Sequence, residues 1–263
     1  MEILVCVKRV PDTSENEIQL NSAGNDIERD DLVYSINEWD NYAVEEAIQI
    51  ADKVGGNVTV VTVGTEDDEE VLRREMAMGA KHGVLITDDM LAGCDGRGIA
   101  TALAAFVKKG NYNLILTGVQ ADDGAAQVGG MLAAMLDYPY ASLVNAIEVV
   151  NEKKLKITRE IEGGNREISE IELPCVLSIQ TGINEPRYVG MRGIRQVQSI
   201  PILTFGVTEL GLDPASVGGK AAKVNRVDYF VPPAGKGARI LEGSQEEIVD
   251  ELVELVKAKG GLR

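Results

Sequence analysis

The stretch LILTGVQADDGAAQVGGMLAAML, Leu114 to Leu136, passes from a short apolar run through a glycine-bearing loop into a helical pattern. Five residues ending in glycine, Leu114 to Gly118, suit a strand buried on both faces, where apolar side chains follow one another without alternation. The pattern from about Ala126 to Leu136 suits a helix. A strand leading directly into a helix is the repeating unit of a parallel sheet covered by crossovers.

The same unit recurs upstream. ILVCV, Ile3 to Val7, reads as a first strand, and EWDNYAVEEAIQIADKV, Glu38 to Val54, repeats its apolar residues at helical spacing. VTVVTV, Val58 to Val63, follows as a second core strand. DDEEVLRREMAMGA is acidic in its first turn, as the helix dipole favours, and ends near a glycine. VLIT and a helix around Gly98 to Lys108 complete the alternation before Leu114.

The rhythm changes after Pro139. LVNAIEVV, KLKITREIE and REISEIEL alternate with period two around the turn sequences NEKK and GGN, which predicts an antiparallel excursion. PCVLSIQ then returns a strand to the core. The chain is therefore expected to be α/β, with a doubly wound, mostly parallel sheet. From about Gly206 a Pro- and Gly-rich segment leads to the amphipathic run SQEEIVDELVELVKAKGG, Ser244 to Gly261. An arm of that composition buries little by itself, so the expected division is a domain over 1–206 and a partner-packing arm over 207–263.

Composition excludes several functions. The chain carries 42 acidic and 26 basic residues, a formal net charge of -16. That balance argues against a general grip on nucleic acid or on an anionic membrane. No run approaches the length of a spanning helix, and the strand-like N-terminus does not read as a signal peptide, so a cytoplasmic protein is expected. Cys6, Cys94 and Cys175 lack metal or redox spacing, and His82 is the single histidine, which leaves no material for a His-dependent triad or a multi-His metal site.

Ligands of open parallel sheets sit at the carboxyl ends of the strands. Four segments are expected to meet there: Cys6 to Val10, SINEWD (Ser35 to Asp40), Val63-Gly64, and GVQADDGAAQVGG from Gly118 to Gly130. Small residues in the last loop let backbone amides approach an anion, and the following helix N-terminus adds its dipole. The loop is neither GxxxxGK[ST] nor GxGxxG, so it suits one phosphate rather than a triphosphate with magnesium. Asp122 and Asp123 would repel a phosphate if turned inward, and one of them is expected to cap the helix. Trp39 reads more readily as core than as a stacking platform. Lys8 and Arg9 read as surface or interface cations.

VCVKRVPD, SINEWDNYAVEEA, LTGVQADDGAAQVGGMLA, ITREIEGG followed by ELPCVLSI, and NEPRYVGMRGI, in that order and spanning nearly the whole chain, resemble the beta subunit of electron transfer flavoprotein. The resemblance implies a fold related to adenine-nucleotide-binding domains, a larger alpha subunit holding the redox-active FAD, and a structural AMP in this chain. It implies a nucleotide site lined by Cys6, Asn37, Glu38, Trp39, Asp40, Val63 and the loop Gly118, Val119, Gln120, Ala121, Asp122, Asp123, Gly124, Ala125, Ala126, Gln127 and Val128. The family carries electrons from dehydrogenases onward, commonly to a quinone oxidoreductase, and its beta subunit is not an enzyme in its own right. After NEPRY the resemblance implies a docking loop with Met191 as anchor and Arg187, Tyr188, Arg192 and Arg195 around it. Gly190 and Gly193 are expected to weaken secondary structure there and let Met191 project.

A flavin-bifurcating branch of the family carries a second FAD where AMP otherwise lies. Its loop resembles a longer form, whereas ADDGAAQVGG is about one residue shorter, so AMP is the expectation. Where some family members place an aromatic residue near the flavin edge, this chain has Thr13. A stand-alone nucleotide-binding stress protein would share the sheet and loop but has no need of the arm. Adenylate-transferring enzymes need a catalytic base or a phosphate-grasping lysine near the loop, and neither is found.

Overall fold

Strand β1 (Glu2–Cys6) shows why the sheet is covered on both sides: Ile3, Leu4 and Val5 have no exposed surface, yet Ile3 and Val5 enter one apolar layer and Leu4 the other. Successive strand side chains point to opposite faces, so an unbroken apolar run demands two covering layers. The computed structural model describes residues 1–235 and 237–261.

Two short strands, β2 (Arg9–Pro11) and β3 (Tyr34–Ile36), pair antiparallel as a separate ribbon. Helix α1 (Glu38–Val54) follows, then β4 (Asn57–Val63), α2 (Glu69–Met78), β5 (His82–Ile86), α3 (Gly96–Val107), β6 (Leu114–Gly118) and α4 (Val128–Leu136). The antiparallel excursion is β7 (Tyr140–Asn151), β8 (Lys154–Ile161) and β9 (Asn165–Glu172). The chain returns through β10 (Cys175–Ile179), then a short helix α5 (Met191–Val197), β11 (Leu203–Phe205) and α6 (Gln245–Ala258).

The nine-stranded sheet has the order β11-β5-β4-β1-β6-β10-β7-β8-β9. Pairs from β11 to β7 are parallel, and β7-β8-β9 is antiparallel. Buried residues of α1 and α2 belong to one core cluster, and those of α3 and α4 to the other. The expected doubly wound α/β architecture is present. Because β4 lies on one side of β1 and β6 on the other, connections diverge at β1, which makes its carboxyl end a switch point.

The chain divides into two compact units, Met1–Gln19 with Glu28–Val227, and Leu20–Ile27 with Asp228 onward. The first unit runs past residue 206 because Val207, Leu210 and Val217 are buried in the layer that contains α3 and α4. In the second unit, Ser244 and Glu247 form a reciprocal capping box at the start of α6. Val249, Leu252 and Val256 lie on α6 at spacings of three and four and remain exposed, as do Phe230, Val231 and Ile240 before it.

Candidate functional site at the strand ends

Asp40 organises the switch point. It lies in the first turn of α1 and is buried, and its two oxygens accept from the Lys8 amide at 2.9 Å and the Gly118 amide at 2.8 Å. One carboxylate thereby ties the chain leaving β1 to the end of β6. Burial pushes the Asp40 carboxyl up to about 7, although the Gly118, Asn37 and Lys8 contacts oppose the rise. The same burial, followed by the nearness of Asp40, pushes the Cys6 thiol far up, which removes it as a nucleophile.

Asn37 precedes α1 and adds a second tie. Its amide donates to Lys8 O at 2.8 Å and its side-chain nitrogen to Gln120 O at 2.8 Å. Its Oδ1 is buried without a partner. A buried acceptor in that state is satisfied by water or a ligand donor. Gly118 is required by proximity, since a Cβ there would stand 2.5 Å from Asp40 Oδ1 and 2.6 Å from the Trp39 Cβ.

Beyond Gly118 the loop is exposed from Asp122 to Ala126. Among the described residues, the Gly124 amide is the one between Gln120 and Val128 with an intrachain acceptor, Ala121 O at 3.0 Å. Helix α4 begins at Val128 after Gln127, with no side-chain cap. The expected cap from Asp122 or Asp123 is therefore corrected: the helix starts too far along the chain for either. Asp123 instead pairs with Lys8 Nζ at 2.5 Å, and its carbonyl accepts from Arg226 at 3.3 Å. Uncapped first-turn amides next to a row of unengaged loop amides suit an anion.

Val63 ends β4 beside β1, on the same edge of the sheet. Glu38 is exposed. Trp39 is half-buried rather than core, and its Nε1 donates to Gln180 Oε1 at 3.1 Å. Gln180 also borders an open surface depression on the antiparallel extension, with Leu143, Arg159, Glu160, Ile161 and Glu162. Sequence reasoning missed Gln180 and the hydroxyl chain beneath α4, in which Ser178 Oγ meets Thr117 Oγ1 at 2.8 Å and Tyr140 Oη at 2.9 Å. Hydroxyls scattered over three strands leave no spacing signal.

The residues after NEPRY form a second cluster, against α1 and α2. Contrary to the expected loosening, Gly190 is the N-cap of α5 and Gly193 sits inside it, where a Cβ would meet the Ala77 Cβ at 3.6 Å. Met191 is 67% exposed and Tyr188 93%, so both side chains stand clear of the body. Arg192 and Arg195 are exposed, whereas Arg187 is engaged with Glu45 at 2.7 Å.

A doubly wound sheet of this kind places its ligand position at the carboxyl ends of the strands, where the polar, amide-rich switch point lies. Among the described residues no helix is long and apolar enough to cross a membrane, and no group of side chains could hold a metal ion. The electron transfer flavoprotein domain profile matches residues 25–210. The chain is 34% identical over 261 residues to the electron transfer flavoprotein subunit beta of Methylophilus methylotrophus, covering 97% of this chain and 98% of that one. It is 36% identical over 263 residues to the subunit of the same name from Thermoanaerobacterium thermosaccharolyticum, covering 98% and 99%. It is also 35% identical over 263 residues to the caffeyl-CoA reductase-Etf complex subunit CarD of Acetobacterium woodii, covering 98% and 99%. The chain belongs to the electron transfer flavoprotein family as a beta-type subunit, and its work is electron transfer rather than catalysis of its own.

Proposed function

We propose that this chain is the AMP-holding subunit of a cytoplasmic, heterodimeric electron transfer flavoprotein. It supports an alpha subunit that carries the redox-active FAD, and it docks donor dehydrogenases through the segment that contains Met191. A downstream acceptor such as a quinone oxidoreductase then receives the electrons.

The observation that carries the AMP reading is the switch point itself. Asp40 and Asn37 tie three strand-end segments together, leaving one buried acceptor, Asn37 Oδ1, and a row of loop amides running into an uncapped helix. These groups fit a nucleotide monophosphate: amides and the helix start for the phosphate, a lone acceptor for a hydroxyl or amino donor. In this role the nucleotide adds binding energy to the folded subunit and takes no part in redox chemistry. Lys8 and Asp123 neutralise one another, so the acidic loop need not repel a phosphate.

The exposed apolar faces of α6 and of the residues before it support packing on an alpha subunit, with the arm expected over 207–263. A chain cut after Val227 keeps Val207, Leu210 and Val217 in its core and is expected to stay folded while failing to form the heterodimer. Wild-type assembly of that truncation, judged by solution mass, removes the arm proposal. The deciding measurement for the cofactor is extraction from the copurified heterodimer. One FAD and one AMP is the expected inventory; two FAD places the chain in the flavin-bifurcating branch.

A further inference from the structure

The segment from Asn184 to Ile200 is held at both ends by side chains from α1 and α2. At its entry Asn184 Nδ2 donates to Tyr42 O at 3.1 Å and to Glu46 Oε2 at 3.0 Å. Arg187 then meets Glu45 with three donors: Nε to Oε2 at 2.7 Å, Nη2 to Oε1 at 2.9 Å and the backbone amide to Oε2 at 3.2 Å. At its exit Arg73, steadied by Glu69 Oε1 at 2.7 Å, donates to Val197 O at 2.8 Å and also to Ile200 O. Tyr188 and all of α5, beginning with Met191, lie between these two grips.

We propose that Glu45, Arg187 and Arg73 form a two-ended clamp that presents Tyr188 and Met191 to the partner dehydrogenase without touching it. The proposal rests on the docking reading given above and names the residues that pre-organise the docking surface.

The physical reason is helix length. Seven residues with a glycine at the third position do not sustain a helix in water, because nucleation costs more than so few hydrogen bonds return. The shape of α5 is therefore imposed from outside. The Glu45 carboxylate is 4% exposed and receives a bidentate guanidinium, the geometry in which an ion pair gives orientation as well as energy. Pinning both ends lowers the ordering entropy that a flexible loop would lose on binding. Arg187, though its side chain is 40% exposed, thus acts as a strut bound to Glu45, and Arg192 and Arg195 are exposed cations that can face an acidic rim around an apolar socket.

Hydrogen exchange on the copurified heterodimer tests the clamp directly. Glu45→Gln and Arg187→Ala are expected to speed exchange of the amides of 191–197 roughly tenfold or more while β1, β4 and β6 keep their protection. Arg187→Lys, which retains the charge and loses the fork, should recover part of that protection. The same variants should raise the KM for the donor dehydrogenase and leave the saturating rate and the flavin content unchanged. Unaltered exchange at 191–197 in both Glu45→Gln and Arg187→Ala overturns the clamp. Lost protection with an unchanged KM shows that the clamp orders α5 but does not position it for docking, which also overturns the proposal. Met191→Ala separates the two layers: it should raise the KM with α5 still protected, and an unchanged KM there defeats the docking reading itself.

Discussion

β6 and β10 are neighbouring parallel strands, and both release the chain at the same edge of the sheet, yet the two loops that follow are built in opposite ways. The loop after Gly118 is exposed, with few internal hydrogen bonds and one exposed ion pair, Lys8 with Asp123. The segment after β10 is gripped by the buried Glu45 carboxylate, by Glu46 and by Arg73. An open row of amides is useful where a small ligand completes the hydrogen bonding. A surface offered to another protein gains from being rigid before contact. On the proposed function, the contrast separates a site finished by its ligand from a site finished by its own chain.

The strongest way to break this contrast is to fill the space that the first loop depends on. Gly118→Val drives a side chain into Asp40 and Trp39, so a loss of about 3 kcal/mol or more in stability is expected. Nucleotide content should fall with it, as read by thermal melting and cofactor extraction. A normal AMP inventory in this variant would remove the switch point as the binding site.

Met191→Ala probes the other region and should cost about 1 to 3 kcal/mol of dehydrogenase binding, with nucleotide and flavin content unchanged. Transfer measured at low dehydrogenase concentration reads the effect. If the variant also loses AMP, the two regions are not independent and the comparison fails.

Glu75 of α2 is fully buried with neither carboxylate oxygen hydrogen-bonded, and burial raises it from 4.5 to about 8 although Arg74, whose Nε lies 3.9 Å from Oε1, opposes the rise. The folded state therefore holds a proton that the unfolded chain releases near pH 4.5, and stability from this group is lost as pH rises through about 8. Asp40, raised to about 7, slopes the same way. Glu75→Gln, which keeps the side chain neutral, should gain on the wild type progressively as pH rises from about 4.5 to about 8, by roughly 1 kcal/mol or more between pH 6 and pH 9, measured by denaturant unfolding. An unchanged pH slope would show that Glu75 is ionised in the fold.

The smallest expected effect is Lys8→Ala. The pair it breaks is exposed, and such pairs contribute under about 1 kcal/mol to stability. A cost of several kcal/mol would mean that the first loop is as rigidly held as the second.

Much of the fold was legible in order. Helix α1 coincides with its expected span, Glu38 to Val54, because its apolar spacing and acidic first turn agree. The turns NEKK and GGN marked the antiparallel excursion, since turn chemistry is local. β2, β3 and β11 went unread: each has three residues and owes its pairing to a distant neighbour rather than to a pattern of its own. The helix at Met191 was missed for a related reason, as its glycines argue against a helix that neighbouring elements nonetheless impose.

At the site, the segments were readable and the roles were not. Asn37, Asp40 and the Gly118 loop were expected together because strand ends converge in any doubly wound sheet. That Asp40 would be a buried crosslink, and that Asp123 would pair with Lys8 instead of capping α4, depended on distances no spacing encodes. Arg187 was expected in the docking segment, with nothing in the sequence to name a partner for it within the chain. Its partner Glu45 lies 142 residues away and reads as an ordinary polar residue of α1.

By itself the sequence determined the layers, the alternation of strand and helix, and the family, because hydrophobic period, turn chemistry and extended motifs are properties of contiguous residues. Only the tertiary structure decided which carboxylates are buried, which amides are left without acceptors, and which arginine is held by a buried glutamate. Those outcomes depend on desolvation and on hydrogen bonds between elements far apart in the chain, and both come into being when the two layers close over the sheet.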